Sequence, residues 1–146
     1  MSSDKTKVIV LEDSETVLRR IPASQMTPDE KVPGGKRPSS GAFSISSPDS
    51  NTSKPGMSLD WKDIILKDNI DPLTRHKESE FSNQYLYQFK VEILSSADAK
   101  AHHEPIDGNQ YHCNAYNKDT SKNKFSGSQQ RKMYTAAEKI YEPTES

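Results

Sequence analysis

Residues 22–58 hold six Pro, four Gly and nine Ser among 37 positions, and this stretch limits the fold more than any other feature of the chain. Proline lacks a backbone donor, glycine is costly to hold in a regular element, and serine competes for backbone hydrogen bonds, so regular structure is not expected there. A structureless segment of this length within a domain is either a functional loop or a linker. The core must then come from residues 1–21 and 59–146, helped by two apolar islands. Arg37-Pro38-Ser39-Ser40-Gly41-Ala42-Phe43 holds the only aromatic of the stretch, and Met57-Ser58-Leu59-Asp60-Trp61 closes it on the only Trp of the chain. The islands are expected to dock on the core. The insert between them, residues 46–54, is rich in Ser, Asn and Asp and is expected to be solvated and mobile.

The flanks are modestly supplied for a core. Leu, Ile, Val and Phe together make up under a fifth of the 146 residues, a composition that borders on disorder. A net charge of −1 argues against full disorder, and six Tyr and one Trp enlarge the core. The length suits one domain, so residues 1–146 read as a single domain with 22–58 as an irregular loop or arm within it. The longest apolar runs, residues 8–11 and 64–66, fall far short of the ~20 residues of a membrane span. The opening residues lack the apolar run of a signal peptide, and Cys113 alone precludes an intramolecular disulfide. These features predict a cytoplasmic protein with no membrane association. Residues 1–73 carry 10 basic and 11 acidic side chains and residues 74–146 carry 10 of each, so no charged tail advertises nucleic acid. Aromatics do not interleave with the basic residues apart from Phe125, and nucleic acid is not an expected partner.

Residues 7–11 read as a short buried strand. Residues 14–21 fit either one helical turn capped by Ser14 or a strand through Val17, Leu18 and Ile21, and Pro22 ends both. Ser58 or Asp60 can cap a helix reaching Lys67, with Trp61, Ile64 and Ile65 on one face. A polar loop runs through Asp71-Pro72. Residues 85–94 alternate as a strand, and Ser95 or Ser96 opens a short helix ending near His103. Asp107-Gly108 is a turn. Residues 110–116 form a second alternating strand with Tyr111, Cys113 and Ala115 on one side. A final helix over residues 128–141 presents Met133, Ala136, Ala137 and Ile140, with Pro143 beyond its end. The order predicts an α/β or α+β fold: a small mixed sheet, two or three packed helices and a long Pro/Ser/Gly-rich loop.

The basic loop entering the last helix is the strongest functional pointer. Residues 118–132 contain five basic side chains and one acid, Asp119. Free N–H groups at a helix start suit phosphate or carboxylate, and Thr120, Ser121, Ser128 and Arg131 would complete such a site. The plainer alternative, favoured by ordinary loop chemistry, is a solvated loop whose serine caps the helix. Ser126 and Gln129 have capping-box spacing. Arg19, Arg20 and Arg37 form a second basic set. On a strand Arg19 and Arg20 face opposite ways, so only one enters a cleft. Pro38 holds Arg37 extended beside Ser39 and Ser40, which makes either an anion cradle or a turn with Phe43 plugging the core. His102, His103, Glu104, His112 and Cys113 cluster in sequence, but adjacent side chains point apart, so no metal is expected. His112 is a candidate for proton transfer or phosphate contact, and Cys113 for the core. P-loop, GxGxxG, HExxH, GxSxG and CxxC patterns do not occur, and no cofactor is implied.

Residues 18–22 (Leu-Arg-Arg-Ile-Pro), 37–43 (Arg-Pro-Ser-Ser-Gly-Ala-Phe) and 57–60 (Met-Ser-Leu-Asp), with late His112, Thr120-Ser121 and Arg131, resemble a pattern of a group of small bacterial proteins. That group shares RPSSxAF, MSxD and a late His/Thr-Ser/Arg. The resemblance spans most of residues 17–140, implies a bacterial cytosolic protein and supplies no reaction. It implies that Arg37, Ser39, Ser40, Asp60 and His112 belong to one site. The 46–54 insert and a longer, more polar segment at 114–123 depart from the pattern.

Two function classes follow. The favoured one is a binding or interaction module recognising a protein partner or a phosphate-bearing ligand. Its candidate contacts are Arg20, Arg37, Ser39, Ser40, Asp60, His112, Thr120, Ser121, Ser128 and Arg131. With so little aliphatic core, a leftover apolar strand face would be covered by that partner or by self-association. The alternative is a small ADP-ribosyltransferase-like enzyme acting on a nucleotide or NAD, within a defence or toxin–antitoxin system. In it Arg20 and Arg37 would hold phosphates, His112 would move protons, and Ser39, Ser40 or Asp60 would position the ribose. The chain lacks a glutamate in a diagnostic motif for that chemistry, and no marked catalytic cluster is present.

Overall fold

A computed structural model describes residues 9–32, 34–45, 56–119, 122 and 124–143. The 46–54 insert, Thr120 and Ser121 lie outside the described residues, as does the side chain of Ser40. The fold is α+β. Strands β1 (Ile9–Val10), β2 (Thr16–Ile21), β5 (Met57–Trp61), β6 (Tyr85–Lys90), β7 (Ala99–His103), β8 (His112–Asn117) and β9 (Glu138–Tyr141) build one sheet in the order β1-β7-β8-β5-β2-β6-β9. Every pairing in it is antiparallel. Strands β3 (Met26–Pro28) and β4 (Lys36–Pro38) form a separate hairpin.

Alternation along the strands sends side chains to two cores. Val17, Ile21, Met57, Leu59, Phe89, Cys113 and Ala115 face the larger one, which is closed by α3 (Val91–Ser96), α4 (Gly127–Ala136) and Phe43. Leu18 and Leu86 face the smaller one, closed by Ile65 of α1 (Lys62–Lys67), Leu73 of α2 (Pro72–Lys77) and Tyr111. No helix among the described residues is long and apolar enough to cross a membrane.

Of residues 14–21, Thr16–Ile21 resolve as strand, because β2 pairs along its whole length with β6, from Thr16↔Lys90 to Ile21↔Tyr85. The ten-residue alternation at 85–94 breaks at Val91. There the backbone N–H groups of Val91 and Glu92 turn to the carbonyls of Glu15 (2.8 Å) and Asp13 (3.1 Å), and α3 starts. Val91 and Leu94 are both buried, an i, i+3 relation that competes with the two-residue period in the same sequence. The helix expected from Ser95 or Ser96 to near His103 does not form: Ser95 and Ser96 end α3, a turn with Asp98 at φ 56° follows, and then β7. Ala99 and Ala101 are fully buried there, alternating with half-buried Lys100 and His102. The last helix stops at Ala136 and β9 follows. Met133 belongs to the larger core and Ile140 packs against the smaller one, on the far side of the sheet, so one straight helix could not serve both. Tyr111 precedes β8 rather than sharing its Cys113 face, and it too joins the smaller core.

Regular structure also enters the Pro/Ser/Gly-rich stretch. Gly34 and Gly35, at φ 88° and 76°, make the positive-φ turn that lets β3 and β4 pair, and the Asp29 N–H donates to the Gly35 carbonyl at 2.8 Å. Both apolar islands dock. Ala42, Phe43 and Met57 are fully buried, and Phe43 meets Phe89 edge-on with centroids 5.9 Å apart.

Candidate functional site

The sheet splits at its centre. β2 pairs with β5 only at Val17↔Trp61 and Leu18↔Asp60, whereas β5 continues along β8 from Asp60↔His112 to Met57↔Ala115. Beyond Leu18 the ladder between β2 and β5 is open, and Arg19 bridges the gap. Its Nη1 donates to the Ser58 carbonyl at 2.9 Å, while Nε and Nη2 donate to the Ala42 carbonyl at 3.0 and 2.9 Å. Burial, helped by neighbouring Arg20, lowers the Arg19 pKa to about 10, which leaves it charged.

Asp60 lies at this split, 5 % exposed, on the smaller-core side of the sheet. A carboxylate so buried needs compensation, and two arginines supply it. Arg75 Nη1 lies 3.3 Å from Asp60 Oδ2 and Arg20 Nη1 lies 3.6 Å from the same oxygen. Asn109 Nδ2 donates to Asp60 Oδ1 at 2.8 Å, and Asn109 Oδ1 accepts from Arg75 Nη2 at 2.9 Å and from the Tyr111 N–H at 3.0 Å. Each guanidinium sits over a ring: Arg20 is 3.8 Å from the Phe81 centroid and Arg75 is 5.1 Å from that of Tyr111. Helix α2 aims Arg75. Asp71 caps it, accepting from the Thr74 N–H at 3.3 Å and hydroxyl at 2.8 Å, and Pro72 fills its first turn. The Thr74 hydroxyl holds the Asp71 carboxyl below the usual range.

These groups line a cleft of about 440 Å³. Its floor includes Leu18, Leu86 and His76, and the exposed Glu78 and Glu80 flank it. A smaller hollow of about 260 Å³ adjoins it at the split, sharing Leu18, Arg20, Asp60 and Phe81. Burial and Arg75 lower the Arg20 pKa, while Asp60 and Glu80 oppose that. The inner cleft thus holds two cations against one carboxylate.

His76 is buried, its Nε2 donating to the Gln84 carbonyl at 2.9 Å and its ring meeting Tyr141 at 4.8 Å. Burial pushes its pKa down; the Gln84 carbonyl opposes this, and Arg20 adds to it. A histidine whose folded pKa lies below its unfolded value of ~6.5 stabilises the fold above that pH and loses this contribution as pH falls through and below it. Urea midpoints of the wild type are therefore expected to fall on acidification from pH ~7 to ~5. His76→Gln, which can still donate to Gln84, should flatten that fall. Parallel profiles for the two proteins would exclude His76 as its source.

The structure thus brings Arg20 and Asp60 together and sets His112 beside Asp60 on the neighbouring strand. His112 is buried and its Nδ1 donates to the Glu104 carbonyl at 2.9 Å. Arg37 is elsewhere, on the β3–β4 hairpin, paired with Asp29 at 3.1 Å. Ser39 donates its backbone N–H to the Gln25 carbonyl, next to the 3-10 turn Ser40–Ala42. Ser128 and Arg131 are exposed on α4. The Ser126–Gln129 capping box is formed in both directions, at 3.2 and 2.8 Å. Cys113 is fully buried in the larger core, and burial pushes its thiol pKa up. Sequence reasoning missed Arg75, Asn109, Phe81 and His76. Asp71-Pro72, an N-cap followed by proline at the first helical position, is the signal that would have announced α2 and with it Arg75 and His76.

Fold and site together define an antiparallel α+β protein with a buried arginine–aspartate–arginine cluster at a split in its sheet. Comparison with family models, curated proteins and solved structures finds no match to this chain.

Proposed function

We propose that the protein is a binding module whose central cleft takes the phosphate group of a small ligand between Arg20 and Arg75. One observation carries this reading: the Arg20 guanidinium sits over Phe81, 3.8 Å from the ring centroid and 3.6 Å from Asp60 Oδ2, and makes no hydrogen bond with the described residues. A guanidinium has five N–H donors in a planar fork suited to an oxyanion, and here the fork is held in place with its donors unspent. Arg75 and Asp60 nearly neutralise each other, so the surplus charge of the inner cleft is about +1. Glu78 and Glu80 oppose a ligand carrying several phosphates, which favours a monophosphate over a triphosphate. Such a ligand, and the buried thiol of Cys113, fit a reducing cytoplasmic compartment. The reading as a nucleotide-acting enzyme has less support, because the Nδ1 of His112 and the carboxylate of Asp60 are already engaged within the protein.

The test is a thermal-shift and calorimetric titration with inorganic phosphate, nucleoside mono- and triphosphates, and NAD. Saturable stabilisation is expected from a monophosphate, about 2.7 kcal/mol at 100 times its dissociation constant, and it should vanish in Arg20→Met. Stabilisation by none of these ligands, or the same stabilisation in Arg20→Met, would overturn the proposal.

A further inference from the structure

The β3–β4 hairpin does not lie flush on the main sheet. Between it, Tyr87 of β6, the C-terminal end of α4 and Lys139 of β9 runs a groove of about 500 Å³. This groove is distinct from the arginine cleft and shares no residue with it. Its walls are mainly apolar: Val32, Pro38, Ala137 and the rings of Tyr87 and Tyr134. Size and lining are those of a small-molecule site, in which an apolar body is enclosed and a few polar groups fix its orientation.

Three cations line the groove, Lys36, Arg37 and Lys139, and no carboxylate does. Two of them are already compensated from outside it. Arg37 Nε pairs with Asp29 at 3.1 Å, its Nη1 donates to the Pro38 carbonyl at 3.2 Å, and its guanidinium stands 5.6 Å from the Tyr134 ring. Lys139 Nζ pairs with Glu142 at 2.6 Å. Lys36 is exposed and makes no ion pair or hydrogen bond with the described residues. The groove therefore presents a surplus of one positive charge.

Tyr87 supplies an independent pointer. The residue is 5 % exposed, and its hydroxyl makes no hydrogen bond with the described residues. A hydroxyl on a buried side chain that has no protein partner and lines a groove is free to donate to whatever occupies it. Burial pushes this phenol up to about 12, so it keeps its proton and remains a donor at neutral pH.

We propose that this groove binds a small aromatic monocarboxylate. The ring lies among Tyr87, Tyr134, Pro38 and Ala137, and the carboxylate accepts from the Tyr87 hydroxyl and faces Lys36. One anionic head matches the surplus of one charge; a polyanion would have to displace Asp29 or Glu142 from their partners. A flat aromatic body suits walls made by two tyrosine rings and a proline.

Calorimetric titration of the full chain with 2-naphthoate, and with neutral 2-naphthylmethanol as the matched probe, tests this. Expected is saturable one-to-one binding of 2-naphthoate, about fivefold tighter than the alcohol at low salt. Lys36→Gln, a change at an exposed side chain, should reduce 2-naphthoate affinity by about three- to fivefold and leave the alcohol unchanged. Tyr134→Ala should weaken both probes by about tenfold. The proposal is overturned by absence of saturable 2-naphthoate binding, by equal affinity for the two probes, or by 2-naphthoate affinity that Lys36→Gln leaves unchanged. Because Lys36→Gln removes no packed group, its result stands even where Tyr134→Ala fails to fold.

Discussion

Replacing Arg20 and Arg75 together by methionine is expected to destabilise the protein by roughly 3–5 kcal/mol at neutral pH, read from urea denaturation. Methionine keeps much of the apolar stem of each arginine over Phe81 and Tyr111, so the loss reports charge rather than packing. What remains is the Asp60 carboxylate, 5 % exposed, with the Asn109 amide as its one neutral donor among the described residues. Either single replacement should cost much less than half of this, because the other guanidinium stays within 3.6 Å of Oδ2. A rescue substitution separates this cause from lost packing. Asp60→Leu in the double-methionine background should recover most of the loss, since an apolar side chain replaces a buried charge that no longer has a partner. A deficit of less than ~1 kcal/mol, or one that Asp60→Leu does not relieve, would mean that Asp60 is hydrated rather than held by the arginines.

This cluster also marks the boundary between what sequence reasoning could reach and what it could not. Asp60 stands out in the sequence as a possible helix cap and through the resemblance, and Arg20 as one of two opposed arginines. Arg75 and Asn109 lie 15 and 49 positions from Asp60, and nothing local couples them to it. Their meeting is a product of antiparallel pairing and of α2 folding back over the sheet. Secondary structure failed for a related reason. Residues 91–94 satisfy a two-residue and a 3.6-residue period equally well, and the choice is made by the Glu15 and Asp13 carbonyls that capture the Val91 and Glu92 N–H groups. The joint between α4 and β9 was concealed because Met133 and Ile140 keep helical spacing while packing on opposite sides of the sheet. Features decided by immediate neighbours were readable, such as the Ser126–Gln129 capping box and the strand character of residues 112–116. So was the docking of the islands, since an apolar cluster in a polar stretch has few other destinations.

Phe43→Ala is expected to cost about 3–5 kcal/mol, the range for truncating a fully buried phenylalanine whose surroundings cannot collapse onto the space left. Phe43 is 0 % exposed and lies edge-on to Phe89 of β6, both within the larger core, so the cavity would open inside that core. Collapse is hindered on the other side as well. The preceding residue, Ala42, is fixed by two hydrogen bonds from Arg19, which also holds the Ser58 carbonyl across the split between β2 and β5. The segment carrying Phe43 thus cannot slide inward without breaking contacts that close the sheet at its weakest seam. Phe43→Leu, which refills most of the volume, should cost only about 1–1.5 kcal/mol. In urea denaturation both variants should keep the wild-type slope and differ in midpoint alone, because the same surface is exposed on unfolding. A loss below ~1 kcal/mol for Phe43→Ala would show that the 37–43 island is undocked in solution. A reduced slope would show instead that the arm detaches before the sheet unfolds, which makes Phe43 a clasp on the arm rather than part of the cooperative core.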